Sequence, residues 1–225
     1  SLIRKSATVG GNLCLDTRCF WYNQSEDWRR SIDWCHKADC GTGADCRVIP
    51  NQNTLCVATY QGDLAPNFMA LAARVTLVGP EGKREMPLEE FYQLDGMKKN
   101  VLKQGEFMLK VTLPEDAFEY RGSYQKLRVR ESWDFPEAGI SAVWKEGDYG
   151  SLKIASTALE SIPKTHDELV KEYALSWEQG ATISSLSEAI RKSVKPVNNT
   201  ALPPNYRRSV VRILAKRALK NIGCE

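Results

Sequence analysis

Residues 8–19 read TVGGNLCLDTRC, and they join a glycine-rich segment to the start of a cysteine cluster. The paired glycines Gly10 and Gly11 permit a tight turn and a close approach of the backbone to a ligand, while Asn12 tolerates left-handed geometry. Taken alone this is a weak signal, because most such glycine pairs only turn the chain. Its meaning depends on the cysteines that follow.

The cysteines are concentrated in one loop, residues 14–56, with the seventh, Cys224, near the C-terminal end. A disulfide framework is typical of small secreted domains, whereas this chain has 225 residues and no apolar signal core. Structural zinc usually takes paired cysteines two to four residues apart, and no CxxC pair is present. A 4Fe–4S cluster tolerates wider spacing because it is larger than one ion. Iron–sulfur is therefore favoured, with zinc and disulfides as alternatives. The six cysteines of the loop are Cys14, Cys19, Cys35, Cys40, Cys46 and Cys56.

The composition of the loop fits cluster binding. Residues 39–45 are small or polar and would supply backbone amides that turn toward sulfur. Aromatic residues beside the cysteines would shield a cluster from solvent, although they are equally compatible with a simple local core. These aromatic residues are Phe20, Trp21, Tyr22, Trp28 and Trp34.

Composition narrows the class of protein. Apolar residues make up 42% and charged residues 26%, which is typical of globular proteins, and the net charge of +3 does not argue for nucleic acid binding. No apolar run is long enough to span a membrane, so we expect a soluble, cytoplasmic protein. The chain starts without Met, from which we expect a later part of a longer polypeptide. We predict a solvated face for the C-terminal basic residues Arg207, Arg208, Arg212, Lys216, Arg217 and Lys220.

Periodicity and turn residues predict an α+β fold. In the first half we predict a helix over 68–73 with Asp63 as its cap or as a ligand, a hairpin of strands 74–78 and 83–88, a short helix at 87–92 and a strand over 107–113. Residues 115–122 would form a domain boundary. In the second half we predict an antiparallel meander (124–131, 140–145, 151–157) and helices over 167–177, 184–194 and 206–222, the last burying Val211, Leu214, Ala218 and Ile222.

Catalytic motifs are absent from the sequence. The two histidines, His36 and His166, are far apart, and no nucleophile–base constellation can be assembled. A phosphate-binding loop of the P-loop or Rossmann type is also missing. The sequence therefore does not indicate catalysis by residues of this chain.

The order of several motifs resembles the flavin-binding subunit of the xanthine dehydrogenase and carbon monoxide dehydrogenase superfamily of molybdenum hydroxylases. ATVGGN at 7–12 resembles the family's second FAD-binding motif, and GDLAP at 62–66 the acidic segment beside the flavin. YQK at 124–126, followed by Arg130 and Asp134-Phe135, resembles the start of the C-terminal domain, and residues 206–219 its last helix. The resemblance implies a CO dehydrogenase flavoprotein-like FAD-binding subdomain at 1–115 and a C-terminal domain at 122–225 with a small antiparallel sheet and a helical bundle. The implied FAD-binding residues are Ala7, Thr8, Gly10, Gly11, Asn12, Asp63 and Lys126.

The cysteine loop is an insertion between two of these motifs. It is similar to that of the 4-hydroxybenzoyl-CoA reductase beta subunit branch, which carries an extra 4Fe–4S cluster. The branch's ligand pattern falls on Cys19, Cys35, Cys46 and Cys56, with Cys40 competing with Cys46 for the third position. The family's N-terminal domain, which grips the FAD pyrophosphate, is not matched, so we expect it to be missing or on another chain.

The resemblance implies an electron relay. Ferredoxin would supply electrons, which would pass through 4Fe–4S and FAD to 2Fe–2S clusters on a small subunit and a molybdopterin site on a large subunit. Two alternatives remain open. The first is the flavin and iron–sulfur subunit of an aldehyde or N-heterocycle hydroxylase, in which electrons flow outward from the molybdenum site. The second is an assembly module that is stabilised by a bound metal and has no redox role.

Overall fold

The computed structural model describes residues 5–39, 41–51, 54–175, 177 and 183–224. The helices in this part of the chain are α1 (Val9–Leu13), α2 (Glu26–Ser31), α3 (Ala65–Ala70), α4 (Leu88–Phe91), α5 (Asp167–Leu175), α6 (Ile183–Ser193) and α7 (Pro204–Asn221). The strands are β1 (Arg74–Gly79), β2 (Gly82–Pro87), β3 (Phe107–Thr112), β4 (Arg121–Leu127), β5 (Ala138–Lys145), β6 (Asp148–Thr157) and β7 (Lys164–Thr165). Antiparallel sheets and helices thus form a mixed α/β fold, close to the elements predicted from periodicity.

The first sheet has the order β2–β1–β3, with both pairings antiparallel. The predicted hairpin is confirmed, with Gly79 opposite Gly82 at its turn. β1 supplies Val75 and Leu77 to a hydrophobic cluster that also contains Leu13 of α1 and Phe91 of α4. This cluster fixes α1 and α3 against the first sheet. Helix α1 carries Asn12 of the site described below, and Asp63 of that site lies just before α3.

The second sheet is the predicted meander, in the order β4–β5–β6–β7. Side chains alternate between the two faces of a strand. On β5, Ile140 and Trp144 belong to a cluster with α5, α6 and α7, whereas Val143 belongs to the cluster of the first sheet. The three helices cover one face of this sheet, rather than forming a separate bundle, and β5 is buried on both faces. The proposed division at 115–122 stays a prediction.

Helix α7 has the predicted buried face, since Val211, Leu214, Ala218 and Ile222 all lie in the core. The prediction of a solvated basic face is wrong for Arg207, which is 0% exposed. Its guanidinium donates to the carbonyls of Glu137 (2.8 Å), Val197 (3.1 Å) and Ala158. Arg207 is therefore a buried connector between α7 and three loops.

The segment around Gly10 also differs from the prediction. Residues 9–13 form α1 rather than a tight turn, and the Thr8 hydroxyl caps this helix by accepting from the Gly11 amide at 2.9 Å. No helix within the described ranges is long and apolar enough to cross a membrane.

Candidate functional site

Four buried cysteines surround one small cavity of about 20 Å³. They are the four predicted ligands, Cys19, Cys35, Cys46 and Cys56, and each is less than 10% exposed. All the cysteines in the described part of the chain are free thiols, so no disulfide framework forms among them. Cys14 does not line the cavity, and Cys40, the competitor of Cys46, lies outside the described residues.

Short turns within the loop place the first three of these cysteines. The carbonyl of Cys19 accepts from the Tyr22 amide (3.0 Å), and that of Cys35 from the Ala38 amide (2.9 Å). The Asp45 carboxylate accepts from the amides of Cys46 (2.6 Å) and Asn51 (2.5 Å), which closes the turn after Cys46. Each cysteine thus belongs to a turn whose backbone hydrogen bonds are satisfied locally.

A loop of the first half fixes the fourth cysteine. Asp95 accepts from the Cys56 amide at 3.1 Å, and the Gly96 amide donates to the Cys56 carbonyl at 2.7 Å. A Cβ at Gly96 would lie 2.8 Å from the Cys56 sulfur and 2.9 Å from two atoms of Ala58. Glycine is therefore required for this close approach.

Backbone amides also point at the sulfurs. Ile49 donates to Cys46 Sγ (3.5 Å) and Ala58 to Cys56 Sγ (3.4 Å). Burial raises the pKa of Cys19, opposed by amide hydrogen bonds, and burial raises the pKa of Cys56 to about 11. The thiols of Cys19 and Cys56 are thus protonated at neutral pH, and binding of a metal to them would release their protons.

The thiols that line the cavity are not arranged around a single ion. Four sulfurs that bind one zinc ion converge to about 2.3 Å from a common point. Within the described ranges, no group of three or more His, Cys, Asp or Glu side chains is arranged to hold a metal ion. The four cysteines nevertheless line one common cavity.

Of the five aromatic residues expected near the cysteines, Trp21 and Tyr22 line the cavity. Phe20 is 55% exposed and makes edge contacts with Trp21 and Trp28, with ring centroids 6.3 and 6.5 Å apart. Two of the five aromatic residues therefore belong to the cavity lining, and one of them, Trp21, also packs with Phe20 and Trp28.

A lysine that the sequence interpretation did not single out also lines the small cavity. Lys37 follows Cys35 by two residues, and its side chain is 7% exposed. Its ammonium donates to Asp16 Oδ1 (2.9 Å), to Thr17 Oγ1 (2.6 Å) and to the Thr17 carbonyl (3.0 Å). Sequence alone gave no signal for it, because these partners are 20 and 21 residues away.

A second, larger cavity of about 510 Å³ brings together three of the residues predicted to bind FAD, namely Asn12, Asp63 and Lys126. Its volume lies in the range of ordinary cofactor pockets. The remaining lining residues are Gln61, Arg128, Glu131, Ser132, Trp133, Asp134 and Phe135. Trp133 has a left-handed backbone (φ 57°) although it is bulky and 55% exposed. Such strain is often found at ligand sites.

Asp63 joins the two halves of the chain at this cavity. Its carboxylate accepts from the Tyr124 hydroxyl (2.7 Å) and from the Lys126 ammonium (2.9 Å). Capping of α3 by Asp63 is wrong, because the N-cap residue is Leu64 and no side chain caps that helix. Burial, together with Asp63, raises the pKa of Tyr124 well above its usual range, so its hydroxyl remains a donor.

The other predicted FAD-binding residues lie on or just before α1. Asn12 Oδ1 accepts from the Leu64 amide at 3.0 Å, which ties the end of α1 to the Asp63 segment. Ala7, Thr8 and Gly11 are exposed and do not line the large cavity, and Gly10 faces a separate groove beside β3. The structure therefore places Asn12 beside Asp63 and Lys126. The predicted residues that precede Asn12 lie outside this cavity.

One short segment serves both cavities. Cys56, Val57 and Ala58 line the small cavity, and Gln61 and Asp63 line the large one. A second connection runs through Arg18, which precedes Cys19 and stacks its guanidinium 3.8 Å from the ring centroid of Phe135. The two sites are thus neighbours that share backbone.

Comparison with known proteins relates the first half of the chain to one family. Residues 1–116 match the family model described as the FAD binding domain in molybdopterin dehydrogenase. The FAD-binding subunit PaoB of an aldehyde oxidoreductase from Escherichia coli (strain K12) is 28% identical over 161 residues, which are 69% of this chain and 50% of that protein. The chain therefore spans about half the length of this curated relative.

Solved structures share the fold. Carbon monoxide dehydrogenase from Hydrogenophaga pseudoflava, in a form lacking the Mo-pyranopterin moiety of its molybdenum cofactor, aligns with a TM-score of 0.61 and 22% identity over 72% of this chain and 56% of that one. Reconstituted CO dehydrogenase from Oligotropha carboxidovorans aligns with a TM-score of 0.61 and 20% identity over the same shares, 72% and 56%. At these identities the likeness establishes the fold only.

Proposed function

The chain belongs to the family of FAD-binding domains of molybdopterin dehydrogenases, and on this basis we propose that it is the FAD- and 4Fe–4S-binding electron-transfer subunit of a molybdenum-containing reductase. The observation that carries the proposal is the convergence of Cys19, Cys35, Cys46 and Cys56 on one cavity next to the flavin-family residues. Electrons would pass from a ferredoxin through the 4Fe–4S cluster and FAD to 2Fe–2S clusters and a molybdopterin site on partner subunits.

The residues of the small cavity fit a 4Fe–4S cluster. Four thiols are available and buried, and two of them already accept hydrogen bonds from backbone amides. Amide donors to sulfur and exclusion of solvent are the means by which a protein sets the potential of such a cluster. Trp21 and Tyr22 would exclude water from one side.

The residues of the large cavity fit part of a flavin. Asn12, Asp63 and Lys126 offer fixed polar groups, and Trp133 and Phe135 offer aromatic surface. Tyr124 and Lys126 hold the Asp63 carboxylate in one orientation, so this polar group is positioned before a ligand arrives. A domain that binds the FAD pyrophosphate would complete the site from another part of the protein or another chain.

For the whole complex we propose 4-hydroxybenzoyl-CoA reductase, with the loss of the phenolic hydroxyl occurring on the molybdenum subunit. The support is the inserted cysteine loop and its similarity to that branch. A second candidate is an aldehyde oxidoreductase. It is favoured by the similarity to PaoB, which is 28% identical over 161 residues. Turnover of aromatic acyl-CoA thioesters and of aldehydes by the intact complex separates the two.

Anaerobic purification tests the cluster. We expect a brown protein with about four iron per chain, and loss of iron in the variants Cys19→Ser, Cys35→Ser, Cys46→Ser and Cys56→Ser. Cys14→Ser is the matched control and should keep its iron, because Cys14 does not line the cavity. A colourless protein with one zinc per chain would refute the proposal. Full redox activity of an assembled Cys35→Ser complex would instead favour a non-redox assembly module.

A further inference from the structure

Lys37 places a cation beside the cysteines and holds it there. Its ammonium makes three hydrogen bonds, to Asp16 and Thr17, and lies 4.4 Å from the ring centroid of Tyr22. Tyr22 and Lys37 both line the cavity with the four cysteines. With so many partners, this side chain cannot swing into solvent without losing all of them.

The charge of Lys37 is only partly balanced. Asp16 accepts from Lys37 at 2.9 Å and from Lys99 at 3.1 Å, so one carboxylate faces two ammonium groups. The side chain of Asp16 is 50% exposed, whereas that of Lys37 is 7% exposed. Water therefore screens the carboxylate more than the ammonium, and a net positive charge remains next to the cavity.

We propose that Lys37 sets the redox potential of the group held by the four cysteines, raising it by stabilising the reduced state. The inference rests on the proposed function, since it requires the cluster. One-electron reduction adds one negative charge to a site that already holds four thiolates, and no bond is made or broken. A buried cation at this position favours the added charge, so its removal makes reduction harder.

Substitution of Asp16 tests the same electrostatic effect with a shift of the opposite sign. Neutralising its carboxylate would leave the two ammonium groups unbalanced and make reduction easier. If Lys37 and Asp16 had only a structural role, both substitutions would shift the redox potential in the same direction. Shifts of opposite sign are therefore specific to an electrostatic role.

The experiment is an anaerobic redox titration of the purified protein with dithionite, followed by electron paramagnetic resonance, with iron measured for every variant. Lys37→Met should shift the midpoint potential to more negative values, Asp16→Asn should shift it to more positive values, and Lys37→Arg should remain near the wild type. The exposed Lys98→Met is the matched control and should leave the potential unchanged.

Each outcome decides between the hypotheses. A wild-type protein without iron overturns the proposed function and this inference together. Wild-type and Lys37→Met proteins that both bind iron and have equal potentials overturn the inference alone. If Lys37→Met loses its iron, Asp16→Asn decides: a positive shift supports the inference, and an unchanged or negative shift overturns it.

Discussion

A methyl group at Gly96 tests whether the packing around Cys56 is needed for the site. In Gly96→Ala, the added Cβ would lie 2.8 Å from the Cys56 sulfur and 2.9 Å from the Cβ and backbone nitrogen of Ala58. Ordinary contacts between carbon atoms begin at about 3.5 Å, so all three neighbours must move by about 0.6 Å or more.

The cost follows from which atoms must move. Overpacking typically destabilises a protein by about 1–3 kcal/mol, and one of the three neighbours is backbone, which cannot rotate away. We therefore expect a loss of about 2–3 kcal/mol in the free energy of unfolding. The strain also acts directly on Cys56, because the Gly96 amide is hydrogen bonded to its carbonyl at 2.7 Å.

Urea unfolding of the protein, followed by tryptophan fluorescence, measures the stability, and iron analysis after anaerobic purification measures the site. Gly10→Ala is the control, because its Cβ would meet only the Met108 carbonyl at 3.9 Å and lies within helix α1. If Gly96→Ala unfolds like the wild type and keeps its iron, the steric reasoning is refuted. Equal damage from Gly10→Ala would refute it as well.

Three further predictions concern the rest of the fold. Tyr124→Phe removes a donor to the Asp63 carboxylate and should cost about 1.5–3 kcal/mol in thermal or urea unfolding. Arg207→Met leaves buried carbonyls without a donor and should cost about 3 kcal/mol or more by the same assay. Burial lowers the pKa of His166 to about 3, so the folded protein keeps it neutral while the unfolded chain binds a proton below about pH 6.5. The contribution of His166 to stability should therefore be complete above pH 6.5 and fall toward pH 3 by at most about 1.4 kcal/mol per unit, and His166→Asn should lack this part of the slope in urea unfolding at several pH values.

Controls for these variants come from the surface of the second half. Tyr206 is 51% exposed, and Arg217 is exposed on α7. Tyr206→Phe and Arg217→Met should each change stability by less than about 0.5 kcal/mol. If these two surface variants lose as much stability as Tyr124→Phe and Arg207→Met, the losses come from general effects of substitution. A wild type and a His166→Asn variant with the same pH slope would contradict the assignment of that slope to His166.

The regular elements were predictable because their signals are local. The turn between Gly79 and Gly82, the stop before Pro114 and the apolar period of α7 each lie within a few residues of the element that they define. The glycine pair at 10 and 11 misled the prediction, because a hydrophobic cluster containing Leu13 and the cap from Thr8 stabilise a helix that its own propensity disfavours.

The contacts that complete the site were not predictable in the same way. Asp63 stood before a helical stretch, where capping is the common role, yet its partner Lys126 is 63 residues away. Asp95 reaches Cys56 across 39 residues. A single sequence carries no record of such pairs, whereas cysteines are candidates for metal binding by residue type alone.

The segment at 56–63 connects the small cavity to the large one. Thr59 exchanges two backbone hydrogen bonds with Arg18, at 2.7 and 2.6 Å, and the Tyr60 hydroxyl donates to the Asn12 carbonyl at 2.9 Å. The segment is therefore tied to the residue before Cys19 on one side and to the end of α1 on the other. Both cavities are lined by this one fixed backbone segment. The walls of one cavity therefore cannot move without those of the other. The packing of the fold itself therefore holds the two cavities next to each other.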